Sequence, residues 1–186
     1  MPNSRKDFVE QFAAMDIQQT REYRAIAAHY GTRVAARSQV PLIHHIDEGL
    51  AILAHLGASA AAQRAYCLHP LVQEDAELAA RASRLHELSD DPVVIALAFE
   101  YRNVANAALS SRPISSAADI SLSPLSEVNA MLVADKVQNR ADFLAHHLGT
   151  HTRSDALDRY FRLWLERLGI DEPCYSELVA TARARR

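Results

Sequence analysis

Two histidines and one aspartate occupy apolar helical stripes of this sequence, and they are the residues best suited to do chemistry. His45 and His69 each share helical spacing with apolar residues, and Asp135 does the same much later in the chain. Because a buried carboxylate without a partner is costly, Asp135 is expected to be paired, hydrogen-bonded or bound to a metal. Two imidazoles and a carboxylate are a common ligand set for manganese, iron or zinc. The pattern therefore favours a shared metal site.

Each of these residues also has a structural explanation, which the sequence leaves open. An inward histidine is commonly a core residue whose hydrogen bonds are satisfied. Asp135 could pair with Lys136, with Arg140 or with another helix. The histidine-rich stretch HHLGTH at 146–151 is a weaker metal candidate, because Gly149 interrupts the helix between its histidines.

Apolar periodicity and start signals indicate the helices that would position these side chains. Asp91-Pro92 and Ser123-Pro124 each place a capping side chain before a proline that suits the first helical turn. No alternating strand pattern continues for long enough to build a sheet. The sequence predicts an all-α fold, a helical bundle in one domain over 1–186. The predicted helices lie near 5–30, 41–56, 60–72, 75–88, 92–109, 124–148, 153–168 and 174–185.

Composition narrows the class of protein. The 186 residues carry a net charge of −3, with 49% hydrophobic and 23% charged residues, as is ordinary for a globular domain with one core. The net charge lacks the excess of positive charge that is typical of nucleic-acid-binding proteins. No segment approaches the apolar length of a membrane helix. Cys67 and Cys174 follow no paired spacing, and the N-terminus lacks an apolar signal core. We therefore expect a cytoplasmic protein without nucleic-acid or membrane partners, and a homo-oligomer stays open.

Taken in order, three segments resemble the HD-type metal phosphohydrolases. Within that superfamily, the resemblance is to the (p)ppGpp 3′-pyrophosphohydrolase domain of the RelA/SpoT group and its small single-domain relatives. ARSQVPLIHHIDEGLAIL (36–53) is similar to the family's basic residue, proline and helix-opening histidine. AYCLHPLVQED (65–75) is similar to its His-Asp segment with trailing acidic residues, and MLVADKVQNRADFL (131–144) is similar to its Ala-Asp-basic-x-x-Asn-x-Arg helix.

The resemblance implies an HD-like helical bundle, a divalent metal and a nucleotide as small-molecule ligand. The metal would be manganese first, with iron or zinc as alternatives. The implied metal ligands are His45, His69 and Asp135. The family's acidic, catalytic positions correspond to Gln73 and Glu74, and Glu74, or in its place Asp75, would position the attacking water or move its proton. The implied substrate-binding residues are Arg37, Lys136, Asn139 and Arg140.

The segments also depart from the family pattern. Pro70 stands where the family has the aspartate of its His-Asp motif, which removes one metal ligand. The acidic pair is displaced by one position, and Arg140 lies one position before the family's arginine. Because proline has no backbone N–H, we expect the helix to kink or end at Pro70, which could bring the following acidic residues toward the metal. The alternative function is a catalytically inactive HD-like fold that binds a nucleotide or a protein partner.

Overall fold

The computed structural model describes residues 16–36, 38–110, 114–150 and 152–184. Within these ranges the chain is all-α, as predicted, with one isolated β-bridge between Val34 and Pro41 and no strand. Short 3₁₀ turns lie at Ile17–Gln19, Ala82–Arg84 and Ala117–Asp119. The α-helices are α1 (Arg21–Tyr30), α2 (Ile43–His55), α3 (Ala60–Gln73), α4 (Asp75–Arg81), α5 (Leu85–Leu88), α6 (Pro92–Ser110), α7 (Ser126–His146), α8 (Ser154–Arg167) and α9 (Glu172–Arg183).

Local capping decides where two of the predicted helices begin. The signal Asp91-Pro92 is confirmed, since α6 begins at Pro92 and Asp91 accepts the N–H of Val93 at 2.9 Å. The signal at Ser123 is wrong by a few residues, because α7 begins at Ser126. The Ser123 hydroxyl instead accepts the Leu125 N–H at 3.1 Å and donates to Glu100 at 2.8 Å.

Two of the predicted helices are divided in the structure. Residues 5–15 of the predicted first helix lie outside the described residues, and α1 begins only at Arg21. Thr20 has an extended backbone and its hydroxyl accepts the Tyr23 N–H at 3.3 Å, so it caps α1 and separates it from the preceding turn. The predicted helix near 75–88 consists of α4, a 3₁₀ turn and α5.

The central helix of the bundle is α3. It packs against α6 and α1, while α2 lies against α7 and α9. Its inward face contributes fully buried side chains to the core, among them Ala65, Tyr66, Leu68 and Leu71. Burial of this apolar face supplies the driving force that fixes α3 between its neighbours. None of the described helices has both the length and the apolar character needed to cross a membrane.

Pro70 lies inside α3 without ending it. The helix continues to Gln73, close to the predicted bounds of 60–72, so of the two expected outcomes, a kink or an end at Pro70, the end does not occur. A proline in a helix interior removes the hydrogen bond to the carbonyl four residues earlier, which is that of Tyr66. In this helix that carbonyl has another donor, the ring nitrogen Nδ1 of His69 at 2.6 Å. A satisfied carbonyl makes the proline easier to accommodate.

Gly49 allows α2 and α3 to approach closely. A Cβ atom at this position would overlap the ring and hydroxyl of Tyr66, which is fully buried. The space that a glycine leaves beside His45 is therefore filled by Tyr66, whose hydroxyl lies 3.5 Å from Nε2 of His45.

Replacing Gly49 with alanine is expected to lower the free energy of unfolding by about 1–3 kcal/mol, because overpacking forces Tyr66 to move. Urea unfolding of the wild type and the variant measures this difference. Helix propensity alone predicts the opposite sign, since alanine is the better helix former. A variant more stable than the wild type would show that the packing of Tyr66 does not require the absence of a side chain at residue 49.

Candidate metal centre

Three helices bring His45, His69 and Asp135 together. Their side chains come from α2, α3 and α7, which are separated in sequence and adjacent in the bundle. The two Nε2 atoms lie 3.2 Å apart, and Oδ1 of Asp135 lies 3.5 Å from Nε2 of His45 and 3.9 Å from Nε2 of His69. Among the described residues, these three side chains form a group of histidine and carboxylate ligands that could hold a metal ion.

The spacing of the three atoms fits the bond lengths of a divalent ion. A triangle with sides of 3.2, 3.5 and 3.9 Å has a point about 2.1 Å from each corner, and metal bonds to imidazole nitrogen or carboxylate oxygen are of about that length. Two nitrogens and one oxygen suit manganese, iron and zinc alike. The cluster could therefore hold an ion without a large rearrangement of its ligands.

The backbone of α3 fixes the ring orientation of His69. Its Nδ1 lies 2.6 Å from the carbonyl oxygen of Tyr66, which can only accept a hydrogen bond. Nδ1 therefore carries the proton, and in the neutral ring Nε2 carries the lone pair. Nε2 is the atom that faces His45 and Asp135, so His69 is oriented as a metal ligand requires.

A side-chain amide fixes His45 in the same sense. Its Nδ1 lies 2.6 Å from Oε1 of Gln138. The amide nitrogen of Gln138 donates to carboxylates of Glu48 at 3.3 Å and Asp142 at 2.9 Å, so the amide oxygen must face the histidine. Nδ1 of His45 is therefore the donor, and in the neutral ring Nε2 also directs its lone pair at the cluster.

Asp135 is a buried carboxylate held by two donors. Oδ2 accepts from Nζ of Lys136 at 2.6 Å, and Oδ1 accepts from Nδ2 of Asn139 at 2.8 Å. Burial alone would raise the pKa of Asp135, but the neighbouring Lys136, His45 and His69 lower that pKa, and the net shift is downward. Asp135 is therefore ionised, and it supplies the negative charge of the site. Lys136 is the structural partner that the sequence had left open.

Burial keeps His69 neutral. It lowers the pKa of His69 to about 3, and the nearby His45 contributes in the same direction. Only the neutral ring has a lone pair with which to bind a metal. His69 is therefore ready to act as a ligand throughout the neutral and mildly acidic range.

The lowered pKa of His69 predicts a loss of stability in mild acid. Between its usual value of about 6.5 and the folded value of about 3, the unfolded chain binds a proton that the folded protein excludes. Stability is thus complete above pH 6.5 and falls as the pH falls, by on the order of 2 kcal/mol by pH 5. The lowered pKa of Asp135 acts at lower pH, while His29, whose pKa burial also lowers, contributes in the same window as His69.

Urea unfolding at pH 7 and pH 5, in the presence of chelator, measures this loss. A His69→Gln variant is expected to lose most of the pH dependence. A His55→Gln variant, whose histidine is 40% exposed, is expected to retain it. An unchanged pH dependence in His69→Gln would contradict the assignment.

Residues that the sequence analysis missed complete the surroundings of the cluster. The rings of Tyr66 and Tyr101 lie 4.6 and 4.9 Å from the ring of His69. Gln138 is buried and orients His45. Its signal in the sequence is its position three residues after Asp135, which places both side chains on the same side of a helix. No local pattern marks Tyr101, which reaches the site only through the packing of α6 on α3.

The proposed catalytic residues lie outside the cluster. Glu74 is exposed at the end of α3. Asp75 begins α4 and forms an ion pair with Arg102. The backbone carbonyl of Gln73 accepts from the Asn106 side chain at 3.0 Å. The structure therefore does not bring the trailing acidic residues to His45, His69 and Asp135.

The proposed substrate-binding residues have different surroundings. Asn139 and Lys136 both contact Asp135. Arg140 points toward α9, where it bonds Glu172 at 2.7 Å and its guanidinium lies 4.3 Å from the ring centroid of Tyr175. Arg37 lies outside the described residues.

No family model matches this chain, and no curated protein or solved structure matches it either. The HD-type resemblance therefore stays an expectation drawn from three sequence segments. What supports a function is the chemistry of the cluster itself, which combines two imidazoles, one ionised carboxylate and a bonded partner for each.

Proposed function

We propose that this protein is a metal-dependent phosphohydrolase of the HD type. Its substrate would be a nucleotide with a phosphoester or pyrophosphate bond, as in (p)ppGpp hydrolases. The main supporting observation is the orientation of the two histidines. Each Nδ1 is engaged by an acceptor, so each Nε2 faces the point that Oδ1 of Asp135 also faces. These three residues are also the ligands that the resemblance implies.

A divalent ion in such a site supplies Lewis-acid chemistry: it lowers the pKa of a water molecule and offsets charge on a phosphate. Asp135 contributes the anionic ligand, and Asn139 and Lys136 hold its carboxylate in place. Tyr66 and Gln138 hold the two imidazoles through their Nδ1 atoms. Because Tyr66 and Gln138 already hold the two imidazole rings in place, little reorganisation of the ligands is needed when a metal ion binds.

The substrate would reach the site from the side of His45. The side chain of His45 is 19% exposed, whereas those of His69 and Asp135 are 3% and 5% exposed. Glu74 lies outside the cluster, so its proposed part in moving a proton requires the junction of α3 and α4 to close on the substrate.

A second candidate is an inactive HD-like fold that binds a nucleotide or a protein partner. The ion pair between Asp135 and Lys136 supports it, because the buried carboxylate is balanced without a metal. The engagement of Arg140 by Glu172 supports it too, since that arginine is then less available to a phosphate.

Hydrolysis assays on ppGpp and a panel of nucleotides, with chelated protein and added Mn²⁺, test the first candidate. Turnover that needs the ion and disappears in His69→Ala is the expected result. The matched control is His44→Ala, which removes the neighbouring histidine outside the cluster. Thermal stabilisation by ppGpp without metal, and without turnover, would replace the hydrolase by the binding module.

A further inference from the structure

The proline after His69 changes the partner of one backbone carbonyl. In a regular α-helix the carbonyl of residue 66 accepts the N–H of residue 70. Pro70 has no N–H to give, and its ring crowds that same carbonyl. The carbonyl of Tyr66 accepts instead from Nδ1 of His69 at 2.6 Å, within the first turn before the proline.

His69 depends on this carbonyl for its orientation. The side chain is 3% exposed, and aromatic rings of Tyr66 and Tyr101 lie beside it. The Tyr66 carbonyl is the acceptor that the described residues provide for Nδ1. If a backbone N–H competed for that oxygen, Nδ1 would lose part of its hydrogen bond, and the ring would be less firmly held with Nε2 toward His45.

We propose that Pro70 is a positioning residue of the metal centre. By withholding an N–H from the Tyr66 carbonyl, it reserves that oxygen for His69 and fixes the Nδ1–H form of the ring. The residue that replaces a motif ligand thus contributes to the site through the backbone. This inference rests on the proposed metal site for its functional meaning, while the hydrogen bond itself can be tested without metal.

Two replacements of Pro70 separate the missing N–H from the shape of the ring. Pro70→Ala restores the N–H. An ester variant with lactic acid at position 70 has the same methyl side chain and no N–H. Zn²⁺ titration of the full-length chain should give an affinity about 10- to 100-fold weaker for Pro70→Ala, as is usual when the partner of a metal-binding histidine is lost. The Zn²⁺ affinity of the ester variant should stay within about 3-fold of that of the wild type, a smaller change than the roughly 10- to 100-fold weakening expected for Pro70→Ala.

A proline at a helix start provides the matched control. Pro92 is the first residue of α6, where a missing N–H deprives no helical carbonyl, so Pro92→Ala should bind Zn²⁺ like the wild type. The melting temperature of metal-free Pro70→Ala should not fall, because alanine is the better helix former. Weaker binding in a variant of undiminished stability is an effect that a merely structural role of Pro70 would not produce.

Nitrogen-15 NMR of the imidazole in metal-free protein tests the inference directly. Wild-type His69 should show a protonated Nδ1, and Pro70→Ala should show a mixture of the two neutral forms. An unchanged ring in Pro70→Ala would overturn the inference, as would equal loss of affinity in the alanine and ester variants. If the wild type binds no metal, the proposed function fails, and the NMR comparison still decides the part played by Pro70.

Discussion

Replacing Asp135 with asparagine is expected to lower the free energy of unfolding of metal-free protein by about 3–5 kcal/mol, because it leaves a buried charge without a partner. Nζ of Lys136 lies 2.6 Å from Oδ2 of Asp135, and its side chain is only 7% exposed. Its other close neighbours include the aromatic rings of Trp164 and Tyr160, whose centroids lie 5.1 and 5.9 Å from Nζ, and the hydroxyl of Tyr160 also favours the charged ammonium. A cation–π contact offsets only part of a lost ion pair.

Chemical unfolding with chelator present measures this effect, and Lys136→Met provides the control. In a Lys136→Met background, Asp135→Asn should cost much less, since no unpaired charge remains. The difference between the two backgrounds is the coupling energy of the pair. If Asp135→Asn lowers the free energy of unfolding by less than about 1 kcal/mol in the wild-type background, Lys136 reaches solvent once the carboxylate is removed. The pair would then be worth no more than an exposed ion pair.

Replacing His69 with alanine is expected to weaken metal binding by far more than the roughly 100-fold that loss of a supporting hydrogen bond can cause. The substitution removes one of three ligand atoms, and the remaining pair of His45 and Asp135 cannot enclose an ion. Calorimetric titration of chelated protein with Mn²⁺ and with Zn²⁺ measures the change.

His44→Ala is the control for this substitution. It removes the histidine next to His45 on α2, yet His44 is not a member of the cluster. The control variant should bind like the wild type. Equal affinities in His69→Ala and the wild type would place any metal binding at another of the nine histidines.

The fold class and the members of the cluster could be predicted because both depend on periodic burial. Apolar stripes at helical spacing predict helices, and a polar residue inside a stripe is predicted to point into the core. His45, His69 and Asp135 do point inward and lie together. The residues at which the helices begin could be predicted less accurately, because several neighbouring side chains can act as an N-cap, as that of Thr20 does for α1.

The partners of the charged residues could not be predicted, because they depend on which helices pack together. Lys136 turns toward Asp135 and the aromatic side chains of α8, while Arg140 turns toward Glu172 and Tyr175 on α9. Nor could the sequence show how α3 accommodates Pro70, since this requires knowing that Nδ1 of His69 bonds the Tyr66 carbonyl.

Metal analysis by mass spectrometry, on untagged protein that has never met a chelator, tests the metal centre most directly. The cluster of His45, His69 and Asp135 predicts close to one equivalent of manganese, iron or zinc per chain, and less than a tenth of that in His69→Ala. Wild-type protein that contains no such metal, and takes up none from excess Mn²⁺ or Zn²⁺, would contradict the metal centre and with it the proposed phosphohydrolase.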